Sequence, residues 1–204
     1  MERNRSDDKI DRARSPSGAA VMRTDVTEAL TRAFFNDWAS AGYSGLSLER
    51  VARSAGVGKA ALYRRWPDKA AMASDLLSRV GLTITDVEEQ GSLEGDLKAA
   101  LFAIRRVLRH RQVRRIVMDL HAEMERTPAL GQTIRPFQRA RRERINALID
   151  RAIERGEVAP SIDRETAADL VAAPLYWRLA VLGRRSDRTH VEQLARMIAS
   201  ALRA

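Results

Sequence analysis

Apolar residues recur along most of this chain at three- and four-residue spacing rather than in alternation, which is the period of helices that bury one face. Val26, Leu30, Ala33, Phe34, Trp38 and Ala41 form the first stripe, with Thr24 as N-cap and Gly42 as stop, and predict a helix over 25–41. Ser47 caps a second helix carrying Leu48, Val51, Ala52 and Ala55 inward and ending at Gly56, and a short third helix spans 59–65. Pro67, as a first-turn residue beside Asp68, opens a fourth helix that carries Met72, Leu76, Leu77 and Val80 and runs to about Thr83.

Five further stripes follow. Ser92 precedes Leu93, Leu97, Leu101, Ile104 and Leu108; Val113, Ile116, Val117, Leu120 and Met124 make the next. Thr127-Pro128 starts a helix with a kink or break at Pro136, which resumes through Ile145, Leu148, Ile149 and Ile153 to Arg155-Gly156. Asp163 caps a helix over 164–182, and Thr189 with Glu192 forms a capping box for the last one, whose apolar face is Val191, Leu194, Ala195, Ile198, Ala201 and Leu202. No strand-like alternation and no repeat stands out. The expected fold is all-α with about nine helices: an N-terminal three-helix unit and a larger helical region.

Composition agrees with helices and excludes several functions. Aromatic residues are only 5%, whereas strands favour them. Without a cysteine there is no disulfide, thiolate metal site or cysteine nucleophile, which fits a reducing cytoplasm. No run of 18 or more apolar residues occurs and the first 14 residues are charged, so neither a membrane span nor a secretory signal is expected. Residues 1–22 mix Arg, Asp, Ser and Gly without apolar period, and are expected to form a disordered arm. Its arginines Arg12 and Arg14, with Arg23 beyond it, could enter a minor groove. The net charge of +9 points to nucleic acid or an anionic surface. Both halves share it, but Arg50 to Lys69 concentrates Arg50, Arg53, Lys59, Arg64, Arg65 and Lys69 against Asp68 alone.

That basic window coincides with a helix-turn-helix pattern between Ser47 and Trp66. Ala55 has to be small where the next helix crosses, Gly56 can take positive φ at the tight turn, and Val57 packs beneath it. Leu62 and Trp66 anchor the third helix, leaving Lys59, Ala60, Ala61, Tyr63, Arg64 and Arg65 around its outer side and ends. Short side chains at 60 and 61 let the backbone approach a groove, and the arginines and tyrosine can reach bases and phosphates. Ser47, Val51-Ala52, Ala55-Gly56-Val57, Leu62-Tyr63, Trp66 and Lys69 together resemble the TetR/AcrR family of bacterial regulators. Gly58 stands where that family usually has Ser or Thr, and Trp66 where it has Phe. The resemblance implies phosphate contacts from Ser47, Tyr63 and Lys69 and base reading near 59–64. Further along, Pro174-Leu175-Tyr176-Trp177-Arg178, after Glu154-Arg155-Gly156-Glu157, looks like one C-terminal ligand-binding type of the same family.

What this implies is a homodimeric, DNA-binding transcriptional regulator, a repressor released from a near-palindromic operator by a small molecule. Residues 23–83 would read double-stranded DNA and 84–204 would bind ligand and dimerise. Phe102, Met118, His121, Met124, Phe137 and Trp177 are the expected cavity wall, suited to an apolar or aromatic effector, with plain core packing as the alternative for each. The helix over 164–182 is apolar almost all round, and Leu170, Val171, Leu175 and Leu179 with Leu194 and Ile198 of the last helix are the expected dimer contacts. No metal, cofactor or membrane partner is implied.

Other readings carry less. Gly56-Val57-Gly58-Lys59-Ala60-Ala61 matches a dinucleotide fingerprint in letters, but that motif follows a strand, and Ser47 to Ala55 is helix-periodic. His121-Ala122-Glu123 lacks the cysteines a zinc deaminase needs, the three histidines are far apart, and no nucleophile elbow occurs; no enzyme is expected. An activator, a ligand-independent DNA binder, or a basic protein lying on a membrane surface are the remaining alternatives. The last does not explain the Ala-Gly-Val turn. The arginine runs 105–115 and 135–144 read as solvated helix faces.

Overall fold

The computed structural model describes the backbone of residues 18–85 and 87–204, and side chains of 25–80 and 87–204. The expected arm (1–22), with Arg12, Arg14 and Arg23, therefore lies outside the described side chains. The described elements are α1 (Gly18–Gly45), α2 (Leu48–Ser54), α3 (Lys59–Arg65), α4 (Lys69–Thr85), α5 (Leu93–Leu108), α6 (Arg111–Arg126), α7 (Pro128–Glu154), α8 (Arg164–Tyr176), a π-helical turn (Trp177–Val181) and α9 (Arg188–Arg203). No strand occurs among the described residues.

Local chemistry sets most boundaries. The Ser47 hydroxyl accepts from the Arg50 amide, Ser92 from Gly95 and Asp163 from Thr166, each satisfying a donor the first helical turn leaves unpaired. α2 and α7 both end in a glycine at positive φ, Gly56 at 67° and Gly156 at 72°. After each, two amides fold back: Val57 N–H donates to Ala52 O at 2.9 Å and Gly56 N–H to Arg53 O at 3.2 Å, with Glu157 to Ala152 and Gly156 to Ile153 repeating the pattern. This is the Schellman ending.

Several boundaries differ from the sequence expectation. Thr24 lies inside α1 rather than at its cap, whereas Gly42, at φ 71° and ψ 167°, interrupts the helix as expected, with only a short helical turn beyond it to Gly45. Pro67 precedes the cap of α4, because the Asp68 carboxylate accepts from Ala71 N–H at 2.8 Å and so takes the N-cap position. Pro136 neither breaks nor ends α7; it and Gln132, whose carbonyl loses its partner, both face solvent, where water replaces the missing bond. The helix expected over 164–182 changes to a π-turn at Trp177, closed by Leu182 N–H to Trp177 O at 2.9 Å. Asp187 caps α9 by accepting from His190 N–H, so Thr189 is not the cap; Glu192 instead binds Arg188 and Lys98.

Two apolar clusters hold the fold together. One joins Phe34, Trp38, Val51, Leu62, Trp66, Met72 and Leu76 of α1–α4 to Ile116 and Leu120 of α6 and Leu130, Ile134 and Phe137 of α7. The other joins α5, the second half of α7, α8 and α9 around Leu97, Leu101, Ile149, Val171, Leu175 and Val191. The N-terminal helices are thus seated on α6 and the first half of α7: α1 packs along α6 and α4 along α7.

Candidate nucleic-acid interface and C-terminal cavity

The geometry of α3 follows from its two buried anchors. Leu62 is inaccessible and Trp66 nearly so, and the Trp66 indole N–H donates to Asp75 of α4 at 2.9 Å. With Leu62 and Trp66 pinned, Lys59, Ala60, Ala61, Tyr63, Arg64 and Arg65 are all exposed. Lys59 and Arg64 make no hydrogen bond or ion pair among the described residues. Tyr63 donates its hydroxyl to Glu49 at 2.8 Å, a bond that raises the phenol pKa and lowers that of Glu49. Arg65 turns back to the scaffold: it donates to Thr27 Oγ1 at 2.8 Å and its guanidinium lies 4.4 Å above the Trp66 ring.

The two residues flanking the motif are held just as firmly. Lys69 is half-buried, with Nζ donating to the carbonyls of Tyr43 (2.8 Å) and Ser44 (3.1 Å) and lying over the Tyr43 ring. It therefore closes the turn that follows Gly42, its ammonium satisfying two carbonyls there. Ser47 is half-buried too: its hydroxyl caps α2 and donates to Glu49, and its amide donates to Asp37.

Three supports of this head carried no local sequence signal. Arg50 grips Asp37 through Nε (2.7 Å) and Nη2 (2.9 Å), and donates to Gly45 O. Burial alone would raise the Asp37 pKa, but the Arg50 bond, the Ser47 amide and the Arg50 charge outweigh it and hold the carboxyl below its usual range. From α6, Asp119 places one carboxylate oxygen 2.7 Å from both the Trp38 indole nitrogen and the Tyr43 amide, both donating to it. Gln112 of α6 donates to Phe35 O and Asn36 Oδ1 of α1. The groups in each pair are far apart in sequence, so only tertiary packing brings them together.

In the C-terminal region a cavity of about 190 Å³ lies among α5, α7 and α8. None of the six residues expected to wall a ligand site lines it. Phe102 and Met118 line separate surface clefts. Phe137 and Met124 pack with the N-terminal core, and Trp177 is 56% exposed. His121 is neither a core histidine nor a cavity group: it is exposed on α6, with Nδ1 2.8 Å from the Tyr176 hydroxyl. Helical period marks a stripe as apolar but does not say which neighbour covers each residue.

Residues 37–76 match the family described as bacterial regulatory proteins, tetR family, and residues 87–198 match the tetracyclin repressor-like C-terminal domain. The chain belongs to the TetR family. It is 30% identical over 156 residues to the DNA-binding transcriptional repressor TetR of Mycobacteroides abscessus, covering 72% of this chain and 77% of that one. It is 25% identical to the uncharacterized HTH-type transcriptional regulator YdeS of Bacillus subtilis over 75% of this chain and 77% of that one. Among solved structures, the TetR family transcription regulator SCO0332 superposes with a TM-score of 0.68 at 26% identity, covering 86% of this chain and 97% of that one. The protein is accordingly a DNA-binding transcriptional regulator rather than an enzyme.

Regulators of the TetR family act as dimers, and the structure corrects which residues are available for pairing here. Val171, Leu175, Leu179 and Ile198 are buried in the protomer's own core. They are already covered by α5 and α7 and cannot meet a second copy. Leu170 and Leu194 are half-buried. The exposed large apolar side chains of the C-terminal region are Met118, Trp177, Val181, Leu182 and Met197, the last 63% exposed. No helix among the described residues is long and apolar enough to cross a membrane.

Proposed function

We propose that this TetR-family regulator is a ligand-responsive repressor that binds a near-palindromic operator as a homodimer, with residues 23–83 reading DNA and 84–204 binding ligand and pairing. The observation that carries the DNA-reading part is the outward face of α3: Lys59, Ala60, Ala61, Tyr63 and Arg64 are exposed, and neither cation makes a hydrogen bond or ion pair among the described residues. Two such helices, related by a two-fold axis, enter successive major grooves about one helical turn apart. Arg64 reads a base edge, and Lys59 and Tyr63 contact phosphate. Ser47 and Lys69 hold α1, α2 and the turn in register, and reach phosphate with whatever hydrogen-bonding capacity remains. The repressor reading is supported by the curated M. abscessus relative, which is a transcriptional repressor.

The exposed Trp177, Val181, Leu182 and Met197 form the pairing surface, with Leu170 and Leu194 at its edges. Exposed large apolar side chains on the helices expected to pair are covered most economically by a second copy of the chain. Ligand response is supported by the shared cores. α4 runs from the reading head along α7, where Ser74 donates to Thr133 O at 2.9 Å, and α1 is tied to α6 through Asp119. A shift of α6 or α7 around a bound molecule therefore moves the head, and a change in the spacing of two recognition helices costs about 1–3 kcal/mol of DNA binding.

The test begins by selecting an operator from random duplexes with the full chain. Arg64→Ala is expected to cost about 1–3 kcal/mol and relax preference at one position per half-site. Lys59→Ala is expected to weaken all sequences alike and lower the salt slope by about one per contacted phosphate. If both variants bind the selected operator at wild-type affinity, α3 is not the reading element.

A further inference from the structure

The cavity among α5, α7 and α8 is strongly charged at one wall. α7 brings Arg141, Arg144 and Arg151 to it, against the carboxylates Glu88 and Asp96. Asp96 is already satisfied: it is buried, ion-paired with Arg155 at 2.9 Å, and accepts from the Gln90 amide at 2.7 Å. Arg141 has no hydrogen bond and no ion pair among the described residues, and its guanidinium carbon lies 5.7 Å from the centre of the Phe137 ring. On its α6 side it faces His121, whose protonation it opposes. Arg141 is exposed overall, and the partial desolvation it meets beside the cavity lowers its pKa. Further along the same helix, the Arg151 Nε is buried without an acceptor, its nearest carboxylate oxygen being 4.0 Å away on Glu89. The rest of the lining is largely apolar: Ile145 and Leu148 of α7 itself, Ala100 and Ile104 of α5 and Val171 of α8.

An arginine that lines this cavity and makes no hydrogen bond or ion pair among the described residues keeps its donors free for an anion, and the apolar lining beside it favours an anion that brings apolar surface. We propose that this cavity takes a small amphiphilic carboxylate, its anionic group held by Arg141 and its apolar body lying on Ile104, Ile145, Leu148 and Val171. At about 190 Å³ the space is below the roughly 300 Å³ where drug-sized pockets begin, so the occupant is a compact molecule rather than a large aromatic effector. The inference rests on the ligand-responsive reading above and names the chemistry of its ligand.

The probes are hexanoate, benzoate and phenylacetate, each compared with its amide, and hexylamine as the cationic counterpart. Binding to the full-length protein is measured by calorimetry at low and high salt. At least one carboxylate is expected to bind saturably, about tenfold or more tighter than its amide, and to weaken with salt, while hexylamine does not bind. Arg141→Gln is expected to bring the carboxylate down to the level of its amide, and Arg141→Lys to recover part of the difference, which separates loss of charge from misfolding. An amide that binds as well as its acid, preference for the amine, an unchanged Arg141→Gln variant, or no saturable binding of any probe below about 10 mM overturns the proposal. Operator affinity of the unliganded protein and of Arg141→Gln is measured alongside. Its absence in the unliganded wild type would instead remove the DNA-binding reading, which the ligand data do not touch.

Discussion

Removing the Asp119 carboxylate is expected to loosen the whole reading head from a position outside it. One oxygen of Asp119 accepts from the Trp38 indole and from the Tyr43 amide, each at 2.7 Å, and both donors belong to nearly inaccessible residues. Leaving a buried donor without an acceptor costs about 1–3 kcal/mol each. The carboxylate lies at the rim of an open cleft that also exposes Arg111 and Arg115, so water reaches part of the gap and the low end of the range applies. Asp119→Ala should therefore cost about 2–3 kcal/mol for the pair of donors, lowering Tm by roughly 4–12 °C for a chain of this length. Asp119→Asn behaves differently: because both bonds go to the same oxygen, an amide oxygen placed there keeps them, and only charge assistance is lost, about 1 kcal/mol. Gly42→Ala attacks the same joint from the other side. Its φ of 71° disfavours any side chain, and the new Cβ would stand 3.2 Å from the second Asp119 oxygen; the strain is about 1–3 kcal/mol. Thermal melts at fixed protomer concentration, paired with operator titrations, measure all three. Asp119→Ala should weaken operator binding as well as stability, since the segment it fixes leads directly to Ser47 and α2. If Asp119→Asn is as damaging as Asp119→Ala, or if Asp119→Ala melts like wild type, the shared-oxygen argument fails.

Arg155 binds Glu89, Asp96 and Glu157 at 2.7–2.9 Å; Arg155→Met leaves the buried Asp96 without its cation and should cost about 3 kcal/mol in chemical denaturation, the low end for a broken buried pair because Arg155 keeps 22% of its side-chain surface. A loss of under 1 kcal/mol would mean that solvent already screens the cluster. Partial desolvation of the ring, reinforced by the Arg141 charge at the otherwise exposed His121 and by Arg178 against the opposing pull of Asp187 at His190, holds both below the ordinary histidine pKa of 6.5. The unfolded chain then binds more protons just below pH 6.5, so stability should be level above that pH and decline as pH falls through the lower folded values; a His121→Asn, His190→Asn double variant should flatten the decline, and an unaltered profile would contradict it. Met197→Glu and Trp177→Glu change side chains that are 63% and 56% exposed, so the protomer should stay folded by circular dichroism while sedimentation shows it monomeric at micromolar concentration; dimers that persist in both would place the interface elsewhere.

The sequence by itself determined the helices and the reading head. Caps, glycine stops and helical period act over three or four residues, which is why α2, α3, the Gly56 turn and the outward set around Arg64 stand where the pattern put them. Period also marked α8 as apolar on several sides. Which of those sides is core was decided by α5, α7 and α9, which cover Val171, Leu175 and Leu179 and leave Trp177 to solvent. The same limit governs Arg65 and Lys69: their charge is legible in the chain, but only the arrival of Trp66, Thr27 and the end of α1 turns them inward as struts. At α9 the pattern pointed to Thr189, but Asp187 caps the helix two residues earlier and Glu192 binds Arg188 and Lys98. The Asp119 joint, the Asp37–Arg50 grip and the arginine-lined cavity join groups from different helices, 13 to 81 residues apart in the two hydrogen-bonded cases. Local patterns carry no information at that range, because such contacts depend on how whole helices cross and not on the residues beside each partner.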